Sequence, residues 1–253
     1  PLVKLFITGA GGFIGKNLIV NLNAQNSFSV LSYSRENTLD DLNELVQQAD
    51  AIIHLAGENR PKNLSEFETV NTGLTKCLCD VIRDSGRKTP LILASSTQAN
   101  LDNPYGKSKL ASELAVEGLA NEIGNPVYIY RLPSVFGKWC RPNYNSVVAT
   151  FCNNIANGIP IQIKDISTKL SLVYVDDVVA DFISVIKQES SGIVRPLIEP
   201  EYNITLGELA CQIRAFENCR VNLISEQVGT GLVRALYSTY VSYLKPEQFS
   251  YLL

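Results

Sequence analysis

The 253 residues predict a doubly wound α/β fold, a parallel sheet of Rossmann type followed by a small C-terminal substrate-binding region. Three observations point there. Short apolar, β-branched runs alternate with helix-length segments. Those runs are apolar continuously rather than at every second residue, as in strands covered on both faces. The first run leads directly into a glycine-rich turn that opens a helical pattern.

Taken in order, Val3–Thr8 is the first strand, Phe28–Tyr33 the second, 51–56 the third, 90–95 the fourth and 127–131 the fifth. Between the third and fourth, Ser65 and Glu68 have the spacing of a capping box, predicting a helix that enters near Ser65 and ends near Gly86. Beyond about Pro133 the pattern loosens, with Pro142, Asn143, Asn145, Pro160 and Pro196 interrupting it, as expected of loops and small elements over a binding cleft. A second box, Thr205 with Glu208, opens a later helix. Residues 1–245 are expected to form one domain, with a dinucleotide-binding core over 1–132 and substrate-binding elements mainly in 133–160 and 190–245. Residues 246–253 read as an exit segment toward a further domain.

Lys and Arg number 22 against 25 Asp and Glu, a net charge of −3, and no long run of like charge occurs. The electrostatic footprint of a nucleic-acid or anionic-membrane binder is therefore missing. Six cysteines contain no C-x-x-C pair and His54 is the single histidine, so no Cys/His metal site is expected. Nowhere do eighteen apolar residues follow one another, and the chain reads as cytoplasmic.

Gly9-Ala10-Gly11-Gly12-Phe13-Ile14-Gly15 places Gly9, Gly12 and Gly15 at the spacing of the three-glycine dinucleotide turn. Glycine permits the tight turn and the close approach of a pyrophosphate, whose charge meets free N–H groups at the positive end of the helix dipole. After the second strand, where an NAD-selective site carries Asp or Glu, the sequence reads Ser32-Tyr33-Ser34-Arg35. The guanidinium of Arg35 offers a fork to a 2′-phosphate, which predicts NADPH/NADP+ as cofactor.

Tyr105 and Lys109 stand four residues apart at the start of a helical pattern, on one helix face. A cation beside a phenol favours phenolate, so the pair is expected to bring Tyr105 toward a useful proton donor or acceptor. The hydroxyl of Ser96, at the end of the fourth strand, could hydrogen-bond an oxygen on which charge grows, with Ser95 and Thr97 as alternatives. His54, inside an apolar strand, reads as a satisfied core histidine rather than a catalytic base.

Gly9-x-x-Gly12-x-x-Gly15, His54-Leu55-Ala56-Gly57, Asn71, Ser95-Ser96-Thr97 and Tyr105-x-x-x-Lys109 together resemble the extended short-chain dehydrogenase/reductase family acting on nucleotide sugars. More narrowly, residues 54–61 (HLAGENRP), 102–109 (DNPYGKSK), 136–146 (FGKWCRPNYNS) and 237–244 (YSTYVSYL) resemble the N-terminal reductase half of bifunctional capsular polysaccharide enzymes, whose other half is a cupin domain. The resemblance implies Tyr105 as acid, Lys109 as ribose contact, Ser96 as hydrogen-bond partner of the carbonyl and Asn71 as support of a proton relay. For the cofactor it implies Gly9, Gly12, Phe13, Ile14, Gly15, Ser34, Arg35, Leu55, Ala56, Gly57 and Pro133 beside Tyr105 and Lys109. For the substrate it implies Arg60, Thr97, Gln98, Lys138, Arg141 and Asn145. Two positions depart from the family's habit: Ser134 stands where Asn is common, and Leu170 where an Arg holds the phosphates.

The activity so implied is reduction, with NADPH, of a UDP-4-keto-6-deoxy-N-acetylhexosamine at C4. It gives a UDP-N-acetyl-6-deoxytalosamine on the route to UDP-N-acetyl-L-fucosamine. A homodimer and a C-terminal cupin fusion are the family's habit. The competing readings are a nucleotide-sugar 4-epimerase or dehydratase that retains its cofactor, and a non-catalytic NADP(H) sensor. Thr97-Gln98-Ala99 follow Ser96 where a dehydratase carries an Asp-Glu pair, so elimination lacks its proton donor.

Overall fold

The computed structural model describes residues 1–57, 62–222 and 231–249. The chain divides into two compact units, Pro1–Leu132 with Val179–Ile198, and Pro133–Val178 with Glu199–Leu253. The run 190–198, grouped from the sequence with the later substrate elements, is thus separated from them and belongs to the first unit.

The first unit is built on a parallel sheet of β1 (Val3–Thr8), β2 (Phe28–Tyr33), β3 (Ala51–His54), β4 (Leu91–Ser96), β5 (Val127–Leu132) and the short β8 (Ile193–Val194). Their order is β2-β1-β3-β4-β5-β8, so the winding reverses between β1 and β3. Ligands bind outside the carboxyl ends of strands at such a switch point. Helices α1 (Phe13–Asn23), α2 (Leu39–Gln48), α3 (Leu74–Asp84) and α4 (Pro104–Ile123) connect the strands. Strand alternation sends Phe6, Ile52, Leu91, Leu93, Val127 and Ile129 into one cluster with Leu42 and Val46 of α2, Leu78 and Ile82 of α3, and Val116 and Leu119 of α4. On β5 the alternate residue Tyr130 is also buried, against Phe182 at 4.9 Å between ring centres, with its hydroxyl on Asp181 at 2.6 Å. Burying each such side chain contributes about 1.5–3 kcal/mol, which fixes the strand ends that carry the site.

The third strand stops at His54, two residues earlier than the apolar run, because the N–H groups of Leu55 and Ala56 turn onto the hydroxyl of Thr8, at 3.1 and 3.2 Å. The capping box of Ser65 and Glu68 does not form. Ser65 turns its hydroxyl to Asn63, and the chain enters a π-helical stretch, Phe67–Gly73, before α3 begins. Helix α4 starts where Asn103 accepts from the N–H of Gly106 at 2.7 Å, with Pro104 in the first turn, and stops at Gly124 in the left-handed region.

The second unit has its own sheet, in which β7 (Lys169–Tyr174) pairs parallel with β6 (Ser134–Phe136) and antiparallel with β9 (Tyr202–Thr205). Helices α5 (Val147–Ala156), α7 (Leu206–Asn222) and α8 (Gly231–Val241) bury Phe151, Leu209, Phe216, Leu236 and Tyr240 with Phe136 and Leu172 of the sheet. Helix α6 (Val175–Ile186) carries the chain back to the first unit. The box of Thr205 and Glu208 forms reciprocally, each bond 3.1 Å, at the start of α7. The loosened sequence pattern after Pro133 therefore holds a second packed core, not loops alone.

Candidate active site

Two glycines of the turn, Gly9 and Gly15, have a steric reason. Gly9 has φ +71°, and a Cβ there would sit 2.7 Å from the backbone nitrogen of Ala56; a Cβ on Gly15 would sit 2.4 Å from the carbonyl oxygen of Gly9. The turn is thus packed against the exit of β3 on one side and against α1 on the other. Gly12 is the N-cap of α1, with no side chain capping the helix and no acidic residue in its first turn. Free N–H groups at a helix N-terminus without competing carboxylates fit a pyrophosphate. Phe13 and Ile14 begin that helix, and Leu55, Ala56 and Gly57 form the strand exit beside the turn.

After β2, the carboxamide oxygen of Asn37 accepts from the N–H of Ser34 at 2.7 Å and from its hydroxyl at 3.3 Å, closing a tight turn that leaves Arg35 exposed. No carboxylate stands at positions 34 or 35, where a ribose 2′-hydroxyl would otherwise find its acceptor. Among the described residues this turn is compatible with an extra phosphate there.

His54 is fully buried, and its hydrogen bonds fix its tautomer. The Thr8 hydroxyl accepts from Leu55 and Ala56, so its own proton goes to Nδ1 of His54 at 2.6 Å. Nε2 then donates to Thr75 at 2.8 Å, and Thr75 donates to the carbonyl of Asn71 at 2.6 Å. Burial holds the imidazole neutral, its pKa lowered to about 3, with Lys109 adding to the shift. The core histidine expected from the sequence is what stands there.

Asn71 lies in the π-helical stretch, a helical irregularity frequent at functional sites. Its carbonyl accepts from Thr75 and, at 2.8 Å, from Ser112, while its side-chain nitrogen donates to the Ser108 hydroxyl at 3.1 Å. A Cβ on Gly57 would lie 3.1 Å from Oδ1 of Asn71 and 3.2 Å from Nζ of Lys109. Gly57, Asn71 and Lys109 are therefore gathered around one point.

Tyr105 and Lys109 stand one turn apart on α4, with Nζ 5.8 Å from the centre of the phenol ring. Phe67 packs edge-on against Tyr105 at 5.7 Å. Nζ donates to the carbonyl of Ala94 on β4 at 3.2 Å. The Ser96 hydroxyl accepts from the N–H of Gln98 at 3.1 Å and lies near enough to the Tyr105 phenol to favour its ionised form. This selects Ser96 over its neighbours: Ser95 is buried with no hydrogen-bond partner for its hydroxyl, and Thr97 is exposed with Gln98 in a 3-10 turn.

The electrostatics correct the expectation from the sequence. The pKa of Tyr105 is raised, not lowered, because burial outweighs the opposing influence of the Ser96 hydroxyl. Lys109 is itself pushed down to about 8 by burial, with Glu113 acting in the opposite sense. Removing both groups from water disfavours both charged forms. Near neutral pH Tyr105 is a protonated phenol, suited to giving a proton rather than taking one.

Lys138, Arg141 and Asn145 lie in the second unit on the segment between β6 and α5, and Pro133 precedes β6. Nζ of Lys138 sits 4.5 Å from the ring centre of Trp139, and the guanidinium of Arg141 5.0 Å from that of Tyr144. Exposed Asn145 precedes Ser146, which caps α5 by accepting from Ala149 at 3.1 Å. Arg60 lies outside the described residues. Sequence reading missed Thr8 and Thr75, which wire His54 to Asn71, and Glu113, which continues the four-residue spacing of Tyr105 and Lys109. That spacing was the available signal.

A glycine turn at the sheet's switch point whose free N–H groups fit a pyrophosphate, with buried Ser96 and Lys109 and half-buried Tyr105 at the end of β4, points to a nicotinamide-dependent enzyme of the short-chain type. The model of the NAD dependent epimerase/dehydratase family matches residues 5–204, and the chain belongs to that family, as an oxidoreductase of its extended short-chain branch. It is 49% identical over 249 residues to the UDP-2-acetamido-2,6-beta-L-arabino-hexul-4-ose reductase of Pseudomonas aeruginosa, covering 98% of this chain and 67% of the relative. The crystal structure of the capsular polysaccharide assembling protein CapF from Staphylococcus aureus matches with a TM-score of 0.88 at 38% identity, over 99% of this chain and 67% of that one. The UDP-glucuronic acid 4-epimerase from Bacillus cereus, in complex with NAD, shares the fold, with a TM-score of 0.81 at 18% identity over 95% of this chain and 98% of that one. This chain spans about two thirds of the length of the first two relatives.

Proposed function

We propose that the chain is an NADPH-dependent reductase of a UDP-4-keto-6-deoxy-N-acetylhexosamine, acting at C4 to give a UDP-N-acetyl-6-deoxytalosamine for a polysaccharide precursor route. The single observation that carries the reading is a protonated Tyr105 placed near the Ser96 hydroxyl at the end of β4, with no carboxylate at Thr97 or Gln98 to support elimination. The Pseudomonas relative, named for reduction of a hexulos-4-ose linked to UDP, supports the same chemistry.

Bound at the glycine turn, NADPH would supply the hydride that reaches C4. Tyr105 gives its phenolic proton to the C4 oxygen, and Ser96 hydrogen-bonds that oxygen as its negative charge grows. Lys109, from its seat on Ala94, holds the nicotinamide ribose, and Asn71, in the π-helical stretch, supports the proton relay. Arg35 takes the 2′-phosphate, and Lys138, Arg141 and Asn145 take the substrate diphosphate and sugar. A homodimer, a C-terminal cupin domain and a cytoplasmic setting belong to this reading. The greater length of the two relatives supports a further domain, and among the described residues no helix is long and apolar enough to cross a membrane.

The test is to supply NADPH and the UDP-4-keto-6-deoxy sugar and to follow absorbance and product together. Stoichiometric NADPH oxidation with appearance of the 4-hydroxy sugar is expected. Turnover without net oxidation would mean an epimerase, and binding without chemistry a sensor.

A further inference from the structure

Helix α4 carries a third polar residue in register with Tyr105 and Lys109. Glu113 lies one turn beyond Lys109, and its side chain is fully buried. A carboxylate taken out of water needs compensation, and here two guanidiniums supply it. Arg131 of β5 makes three contacts, Nε to Oε1 at 2.8 Å, Nε to Oε2 at 3.2 Å and Nη2 to Oε2 at 3.1 Å. Arg195, just after β8, adds Nη1 to Oε1 at 2.8 Å and also pairs with Glu117.

The same Arg131 reaches Asn100, in the 3-10 turn that follows Ser96, with Nη1 to Oδ1 at 2.6 Å. In the sheet register Arg131 stands opposite Ser95, and Leu132 opposite Ser96. One guanidinium therefore ties α4 to the turn after β4, the two elements across which Tyr105 and Ser96 meet.

We propose that Glu113 is a positioning residue for Lys109: pinned by Arg131 and Arg195, its carboxylate keeps the buried ammonium a cation and locks α4 onto the strand end carrying Ser96. Among the described residues, the other groups around Lys109 offer no substitute. From β3, His54 is neutral; from β4, Ala94 offers only a carbonyl; from the π-helical stretch, Asn71 offers an amide; and on α4 itself Tyr105 is a protonated phenol. Burial pushes Lys109 toward the neutral amine, and among the described residues Glu113 is the group that opposes it. The inference rests on the reading above only for what Lys109 does in the reaction, since its charge can be observed without cofactor or substrate.

The experiment is a direct titration of Lys109 Nζ by 15N NMR in the full chain labelled with 15N-lysine, the resonance being assigned by its loss in Lys109→Arg. Wild type is expected to titrate near pH 8. Glu113→Gln, which keeps the shape and an acceptor, should lower the midpoint by about one pH unit or more, a tenfold weaker hold on the proton. Arg195→Gln, which strips a cation from the same carboxylate at a partly exposed position, should raise it. A midpoint unmoved in Glu113→Gln, with only a lower melting temperature, would overturn the proposal. If Glu113→Gln does not fold, Arg195→Gln decides: an upward shift supports the proposal, and an unchanged or lower midpoint overturns it. NADPH affinity measured across the same pH range separates the two readings. Shifted NMR midpoints with a flat affinity profile would support Glu113 as the charge-setting residue while refuting Lys109 as a cofactor contact.

Discussion

Nζ of Lys109 lies 5.8 Å from the centre of the Tyr105 ring and donates to the carbonyl of Ala94, so the lysine is seated beside the phenol without bonding it. The hydroxyl that acts on the phenol is that of Ser96. Tyr105 is thus held as a half-buried acid, and Lys109 as a buried cation whose charge is easily lost.

Removing the acid should cost chemistry rather than binding. Tyr105→Phe keeps the ring against Phe67 and deletes the proton. Steady-state kinetics should show kcat reduced by roughly 10²–10⁴-fold, with NADPH affinity changed by less than about threefold. Parallel loss of both would mean that the tyrosine is structural.

The cofactor turn makes a discriminating prediction. Arg35→Asp replaces the exposed fork with a ribose acceptor and should shift the ratio of kcat/KM for NADPH over NADH by roughly 10- to 100-fold, the range of one or two charge-assisted hydrogen bonds. An unchanged ratio would remove Arg35 from the site.

Two glycines in one turn should behave oppositely. A Cβ on Gly15 meets the Gly9 carbonyl at 2.4 Å, whereas one on Gly11 meets nothing within 4 Å. Gly15→Ala is expected to destabilise by about 1–3 kcal/mol and to abolish NADPH binding. Gly11→Ala should stay within about 0.5 kcal/mol of wild type. Denaturant unfolding of both variants checks this, and equal effects would contradict the packing described.

Buried His54 sets an acid limit to stability. Its folded pKa is lowered to about 3 while the unfolded value is near ~6.5, so between those values the unfolded chain binds more protons. Stability therefore falls as pH drops from about 6.5 toward 3, by an amount on the order of a few kcal/mol from this group. His54→Gln, unable to titrate, should flatten that part of the curve. An equally steep acid slope in the variant would rule His54 out as its source.

The fold was largely legible because parallel strands covered on both faces announce themselves: β1 and β2 have the limits read from their apolar runs, and β4 is displaced by one residue. The end of β3 was not legible, since the N–H groups of Leu55 and Ala56 both reach the hydroxyl of Thr8, which lies 47 residues or more away in sequence. Ser65 and Glu68 have the spacing of a capping box, but the π-helical stretch that places Asn71 overrides it, and nothing local marks it. The second core stayed hidden because β6 has three residues and β9 four, too few to display a period. In the candidate site, the shared helix face of Tyr105 and Lys109 could be read from their four-residue spacing. The sign of the phenol's shift could not, because burial is a property of the packed chain.

The most direct test of the central claim uses NADPH deuterated at the transferable nicotinamide C4 position, with the UDP-4-keto-6-deoxy sugar as acceptor. NMR of the product is expected to show one deuterium at sugar C4 for each cofactor oxidised, and Tyr105→Phe should slow this transfer without redirecting it. Product formed without deuterium at C4, or sugar turnover with the cofactor's deuterium retained, would contradict it.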